Sequence, residues 1–434
     1  MKLKLSNIGM INRADIRLDG LTIIAGENDT GKSTVGKIIF SLIKALNRYE
    51  QDLNEGKSNK ILRLIDRTYF QLRKQYDFSE NIEVKKAFYP PTFFRYLKSN
   101  QDEENIDLID KKIHLLRKID ALDAIKNLEA IKKIYTEDEE NKETIVKRAL
   151  TKAFISEFYF ELTPKNSSLI SKISLFDGTN ILFEAALNNN AVEDLTLYDD
   201  LYFNDVTYIE TPIFLQMSEL IRSASNLFEI TERNGTGLLS SGRIPTVALH
   251  IKDLISKLEN AQYFQTSSLF EGTLLHVLAD ISSVVKGSGF TFDKEKRDFY
   301  FEKNNGTKFK STNTATGLKS FGMLQLLIQA NILNERSLLI IDEPEIHLHP
   351  KWQVEYAKLI VSLVKNDIPV LVTSHSPELI QALTVFSEEF NVQNKTSYYL
   401  TESNGVTSNI TDVSDDINKI FVKLAEPLHN LVWN

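Results

Sequence analysis

GENDTGKST, residues 26–34, follows the apolar run Leu21-Thr22-Ile23-Ile24-Ala25 and precedes Val35, Ile38, Ile39, Leu42, Ile43 and Leu46. The run before it reads as a buried strand, and the spacing after it as an amphipathic helix. The stretch is therefore a strand-to-helix turn. Gly26 and Gly31 allow backbone conformations in which successive N–H groups, including those of Asn28, Asp29 and Thr30, face inward on phosphate oxygens. The N-terminus of the following helix, at Lys32, Ser33 and Thr34, adds the positive end of its dipole. In this setting Lys32 reaches the β and γ phosphates of a nucleotide, and Ser33 holds Mg2+ through its hydroxyl.

Two further strands end in chemistry. Ser337-Leu338-Leu339-Ile340-Ile341 runs into Asp342-Glu343-Pro344, and a buried strand delivers such carboxylates to the sheet edge where the phosphate loop sits. Asp342 is expected to bind Mg2+ through water and Glu343 to polarise the attacking water as general base. The competing reading is an acidic strand end that caps the next helix. Val370-Leu371-Val372-Thr373 runs into Ser374-His375-Ser376-Pro377, where His375 can hydrogen-bond a γ-phosphate. Helical patterns from Leu318 to about Leu333, Lys351 to Lys365 and onward from Pro377 alternate with these strands, which predicts a parallel sheet with crossover helices.

Elsewhere, Lys2–Leu5 and Ile11–Leu18 read as strands, as do Ser168–Leu175, Asn180–Ala186 and Val206–Ile209. Residues 48–164 are charge-rich and helical in pattern, broken at Tyr89-Pro90-Pro91. Their amphipathic stripe fits a solvated helical insertion, with a partner-docking surface as the sharper alternative. Helical patterns return from Ile213 to about Val285, interrupted near Asn234–Gly237, and a strand pair follows at Phe290–Phe292 and Asp298–Glu302.

The net charge of −8 and pI near 5.6 argue against a chain that coats nucleic acid by bulk charge. There are no cysteines, which excludes thiol catalysis and Cys-based zinc sites. No apolar run approaches the ~18 residues needed to span a bilayer. The N-terminus lacks a secretory pattern, so the expected location is the cytoplasm. A GTPase would need Asn-Lys-x-Asp, and the Asn-Lys pairs at Asn59, Asn141, Asn394 and Asn418 all lack the Asp.

Together the three motifs, in this order, resemble the ABC-type ATPases, and more narrowly their SMC-like and OLD-like branch. GENDTGKST is similar to that branch's Walker A form, IIDEPEIHLHP to its Walker B and D-loop, and TSHSP to its switch histidine. The D-loop reading displaces a metal reading of His347 and His349. The resemblance implies an α/β fold: an ABC-type P-loop NTPase head with a mixed sheet, a helical insertion and a helical signature lobe. The ATPase lobe would comprise 1–47, 165–212 and 335–434, the insertion 48–164 and the signature lobe 213–334.

In this family two subunits sandwich two ATP molecules with Mg2+, and a signature segment of the partner chain closes each site. The matching segment is Asn313-Thr314-Ala315-Thr316-Gly317-Leu318-Lys319-Ser320, with Thr316 where Ser is usual and no second glycine. Thr316 and Gly317 are its ATP-binding candidates. The Q-loop is expected near Glu210-Thr211-Pro212, with Gln216 as a candidate. Only 59 residues follow His375, too few for the TOPRIM nuclease of OLD-type proteins.

The chain thus looks like the ATPase subunits of Septu-like bacterial antiphage systems. It would hydrolyse ATP slowly, form a homodimer or a higher oligomer of dimers, and control a separate effector, a nuclease of HNH or TOPRIM type. Nucleic acid stays open as a partner and a membrane does not. The alternative is an ATP-stabilised scaffold, or a DNA-repair-type SMC-like ATPase, with little turnover.

Overall fold

The computed structural model describes residues 1–76, 78, 81–136, 141–164, 169–224, 246–264 and 274–433. The interruption expected near Asn234–Gly237 lies outside them. Contacts divide the chain into two units, one of Met1–Asn47 with Val146–Asn434 and one of Arg48–Ile145.

In chain order the strands of the first unit are β1 (Lys2–Ile8), β2 (Ile11–Arg17), β3 (Leu21–Gly26), β4 (Ser171–Asp177), β5 (Asn180–Asn188), β6 (Ala191–Leu197) and β7 (Asp205–Ile209). Then come β8 (Gly287–Asp293), β9 (Asp298–Lys303), β10 (Lys308–Lys310), β11 (Ser337–Asp342), β12 (Val370–Ser374), β13 (Thr396–Ser403) and β14 (Ser408–Asp412). Eleven of them form one sheet in the order β6-β5-β4-β1-β2-β14-β13-β3-β12-β11-β7, and β10-β9-β8 form a small antiparallel sheet.

From β7 through β11, β12 and β3 to β13, neighbours are parallel. β3, β11 and β12 are buried along their whole length, as strands covered on both faces must be. On one face Ile23, Ile341 and Val372 pack into a core shared with Leu324, Ile360 and Leu383 of the helices Thr316–Gln329, Pro350–Lys365 and Pro377–Glu389. On the other, the helix Lys32–Gln75 lies so close that a Cβ at Gly36 would come within 2.7 Å of Tyr208 and 3.1 Å of Ile340.

β13 and β14 are not among the strands expected from the sequence; they lie between the helix Pro377–Glu389 and a last helix, Asn418–Trp433. The strand pair before it places β13 beside the phosphate-loop strand, registered Tyr399↔Ile24 and Thr401↔Gly26. Also unforeseen were β6 and β10, and the helix expected to reach Leu333 ends at Gln329.

The second unit has its own core, in which Ile65 and Leu72 meet Phe88, Ile109, Leu116 and Leu128. The expected break at Tyr89-Pro90-Pro91 is a helix junction: Ile82–Phe88 ends at Tyr89, and Pro90 opens Pro90–Ser99. Among the described residues no helix is long and apolar enough to cross a membrane.

Candidate functional site

Parallel strands carry their C-terminal ends to one edge, so Gly26, Ile209, Asp342 and Ser374 emerge side by side. The loop after β3 uses backbone that side chains resist: φ is +155° at Gly26, +57° at Asp29 and +89° at Gly31. A Cβ on Gly26 would stand 1.9 Å from Thr401 Oγ1. Thr401 in turn lies 2.6 Å from the Thr30 hydroxyl, and the Ser408 hydroxyl donates to Thr30 O at 2.8 Å. The overlooked pair β13–β14 thus buttresses the loop from outside.

Asn28 and Asp29 are exposed on the loop; Thr30, Gly31 and Lys32 are buried, and Ser33 and Thr34 half-buried. The Lys32 ammonium, only 3% exposed, donates to Gly26 O at 3.1 Å and Glu27 O at 2.7 Å, and lies 3.3 Å from Glu343 Oε1. The Ser33 hydroxyl donates to Asp342 Oδ1 at 3.1 Å. Thr373 donates to the same oxygen, and Tyr208 to Asp342 Oδ2 at 2.9 Å.

Glu343 adopts a left-handed conformation, φ 46° and ψ 55°, which costs a non-glycine residue of the order of 1 kcal/mol. Its N–H is fixed by Thr373 O and Oγ1, both at 3.1 Å. Its Oε1 also lies 3.5 Å from His375 Nδ1. Lys32, Ser33, Asp342, Glu343 and His375, named from separate stretches of sequence, form one linked set.

A Ser hydroxyl and an Asp carboxylate 3.1 Å apart beside a buried Lys are hard oxygen donors of the kind Mg2+ takes. The strained glycine loop and the start of the Lys32–Gln75 helix supply inward N–H groups and a dipole for phosphates. The donor set therefore fits a magnesium nucleotide.

Thr316 and Gly317 stand apart from this set. They open the Thr316–Gln329 helix, where a Cβ on Gly317 would meet the Trp352 ring at 2.7 Å and His347 O at 3.2 Å. Gln216 sits in the short helix Pro212–Met217, and its Oε1 accepts from Lys319 Nζ at 2.5 Å.

Three features escaped the sequence reading. Glu345, 5% exposed, accepts at Oε1 from the Ser374 hydroxyl (2.7 Å), His375 N (2.8 Å) and Ser376 N (3.2 Å), so it fixes the backbone that presents His375. Tyr208, fully buried, holds Asp342. Burial, then the neighbouring Asp342 and Glu210 carboxylates, raise its hydroxyl well above the ordinary value.

The third is a charged row, buried at His250 and Glu157 and half-buried at Glu210 and Lys37. His250, on the Leu249–Phe264 helix, holds Glu157 through Nδ1 at 2.6 Å and Glu210 through Nε2 at 2.9 Å, and Lys37 lies 3.7 Å from Glu210. Burial opposes the charge on His250, but Glu157 and Glu210 overcome it and push the imidazole up to about 9. Glu210 likewise ends below its usual range, because His250 and Lys37 outweigh its burial. It lines a cavity of about 280 Å³ with Thr211, Ser320, Asp342, Glu343 and His347. From sequence, Glu210 is marked only as the start of the expected Q-loop, at the end of β7.

A phosphate-type loop on a central parallel strand, with the Asp-Glu strand two places away and the histidine strand between, defines the P-loop class of nucleotide-binding proteins. The chain belongs to the AAA ATPase domain family, whose model matches residues 1–380.

Two bacterial relatives match locally. One is the Septu protein PtuA of Bacillus thuringiensis, 43% identical over 51 residues, which cover 11% of this chain and 12% of that protein. The other is the Retron Vc95 probable ATPase of Vibrio cholerae serotype O1 biovar El Tor, 37% identical over 71 residues, covering 16% and 13%. Each match spans about an eighth of the relative's length.

Similar solved structures include an SMC head domain from Thermotoga maritima, with TM-score 0.37 and 12% identity over 95% of this chain and 98% of that one. Another is an ATP-binding cassette of an ABC transporter, with TM-score 0.33 and 10% identity over all of both chains. The resemblance to Septu-like ATPases drawn from the motifs has its counterpart in the PtuA match.

Proposed function

We propose that this chain is a Mg2+-dependent ATPase that closes as a dimer around ATP and controls a separate effector, a nuclease of HNH or TOPRIM type, in cytoplasmic antiphage defence. The observation that carries the enzymatic part is the linked set Lys32, Ser33, Asp342, Glu343 and His375. The local matches to PtuA and to the retron ATPase support the defence setting.

Gly26, Asn28, Asp29, Thr30, Gly31, Lys32, Ser33 and Thr34 hold the phosphates. Ser33 and Asp342 hold Mg2+, which offsets phosphate charge. Glu343 takes the proton of the attacking water, and His375 donates to the γ-phosphate. Thr316 and Gly317 open a helix whose N-terminus suits a γ-phosphate of the partner protomer's site. The signature lobe is 213–334 and the helical insertion 48–164.

Phosphate release, ATP binding and oligomer mass of the wild type, Glu343→Gln and Lys32→Ala test this. Glu343→Gln should bind ATP and form the ATP-dependent dimer with turnover lowered about 100-fold or more. Lys32→Ala should lose ATP binding and the dimer together. Release unchanged in Glu343→Gln would overturn the enzymatic assignment. Wild-type turnover at background, with an intact ATP-dependent dimer, would instead give the scaffold reading, which the departures of the signature segment favour.

A further inference from the structure

The second unit carries a surface that the ATPase reading does not use. Between Lys57 and Gln75 there are six cations, Lys57, Lys60, Arg63, Arg67, Arg73 and Lys74, and one acid, Asp66, in a chain whose net charge is −8. Ile61, Ile65 and Leu72 of this helix face the core, and Arg63, Arg67, Phe70 and Lys74 recur at three- and four-residue spacing on the opposite side. Arg67 and Lys74 are exposed, and Phe70 between them is 56% exposed.

A charge run is usually a solvated face, balanced by its neighbours. Three lysines elsewhere in this unit are balanced in that way: Lys111 pairs with Asp107, Lys126 with Asp123 and Lys132 with Asp110. Lys60, Arg63, Arg67, Arg73 and Lys74 have no acidic partner among the described residues. Uncompensated like charge along one helix opposes folding, so a stripe of it points to a polyanion.

One aromatic ring, that of Phe70, lies in the stripe, and others adjoin it. Phe70 contacts Tyr69 edge-on at 6.1 Å between ring centres, and Tyr69 contacts Tyr89, itself 47% exposed, at 6.1 Å. An exposed phenylalanine among arginines is poorly matched to the carboxylates of an acidic protein. It suits unpaired bases, which stack on rings while guanidinium groups take the phosphates.

We infer that the face carrying Arg63, Arg67, Phe70 and Lys74 binds single-stranded nucleic acid, the cations holding its phosphates and Phe70 stacking a base. From Lys60 to Lys74 the stripe is about 21 Å long, enough for several nucleotides.

The test is fluorescence anisotropy of the full-length protein with a labelled single strand of about 20 nucleotides and with the matching duplex, across salt concentrations. The wild type should prefer the single strand. Arg63→Glu with Arg67→Glu and Lys74→Glu should weaken binding about 100-fold or more and make the log–log salt slope shallower by about 2. Phe70→Ala should weaken single-strand binding about 5- to 100-fold and leave duplex binding unchanged. Arg63→Lys with Arg67→Lys should retain most of the affinity.

Unchanged thermal unfolding and ATP binding in each variant show that the fold persists. No oligonucleotide binding, or binding indifferent to the triple substitution, overturns the inference. Equal affinity for duplex with no effect of Phe70→Ala overturns it too. So does a triple variant that loses only self-association, since the face then meets an acidic protein surface.

Discussion

The Tyr208 hydroxyl lies 2.9 Å from Asp342 Oδ2, across the boundary between β7 and β11. Tyr208 is registered with Ile340, and Asp342 is two residues further on the same face, about 6.6 Å along the strand. A tyrosine is long enough to cover that distance; a shorter hydrogen-bonding side chain at position 208 would fall short. Tyr208→Phe removes the donor and leaves a buried carboxylate oxygen short of a partner, a loss of about 1–3 kcal/mol. Turnover should fall about tenfold or more, for about 1.4 kcal/mol or more of lost organisation, while ATP affinity changes little. Phosphate release against ATP concentration gives both numbers; equal loss of each would show that Tyr208 supports the fold alone.

Glu345 gathers one hydroxyl and two backbone donors from Ser374, His375 and Ser376 on a single oxygen. Glu345→Ala strips three groups of that acceptor at once and should destabilise the protein by about 3 kcal/mol. Glu345→Gln keeps an oxygen in place and should unfold at an intermediate temperature. Turnover should follow the same order, because His375 rides on this backbone. Thermal melts in which all three proteins coincide would refute the role.

His250 makes a pH-dependent contribution. Its imidazole, raised to about 9 from 6.5, binds its proton more tightly in the folded chain than in the unfolded one. Folding is therefore favoured most below about pH 6.5, and the advantage is lost as pH rises through about 9. At the acidic end it amounts to about 3 kcal/mol. The difference in unfolding temperature between the wild type and His250→Gln should be largest near pH 6 and smaller by about pH 9.5. A constant difference would mean that His250 contributes by packing alone.

The parts of the fold that a local signal encodes were legible. A buried strand that breaks into glycines or carboxylates announces itself, which is why β3, β11 and β12 and their terminal residues stood out. Thr401 and Ser408 did not, since threonine and serine carry no message until pairing of β13 with β3 puts them against the phosphate loop. Thr396-Ser-Tyr-Tyr-Leu-Thr does hold the β-branched and aromatic enrichment of a strand, a signal that could have been used. Glu157, His250 and Glu210 are separated by 93 and 40 positions. Nothing in a single sequence brings them together before the helices Lys142–Phe158 and Leu249–Phe264 meet at the end of β7.

Glu343 sits in left-handed backbone, where glycine would rest without strain. A glycine here would ease the bend, yet it would take from the buried Lys32 ammonium the carboxylate that stands 3.3 Å away. Backbone comfort and charge balance pull in opposite directions at this residue. The awkward bend is thus kept together with the counter-charge it carries, and neither can be given up alone.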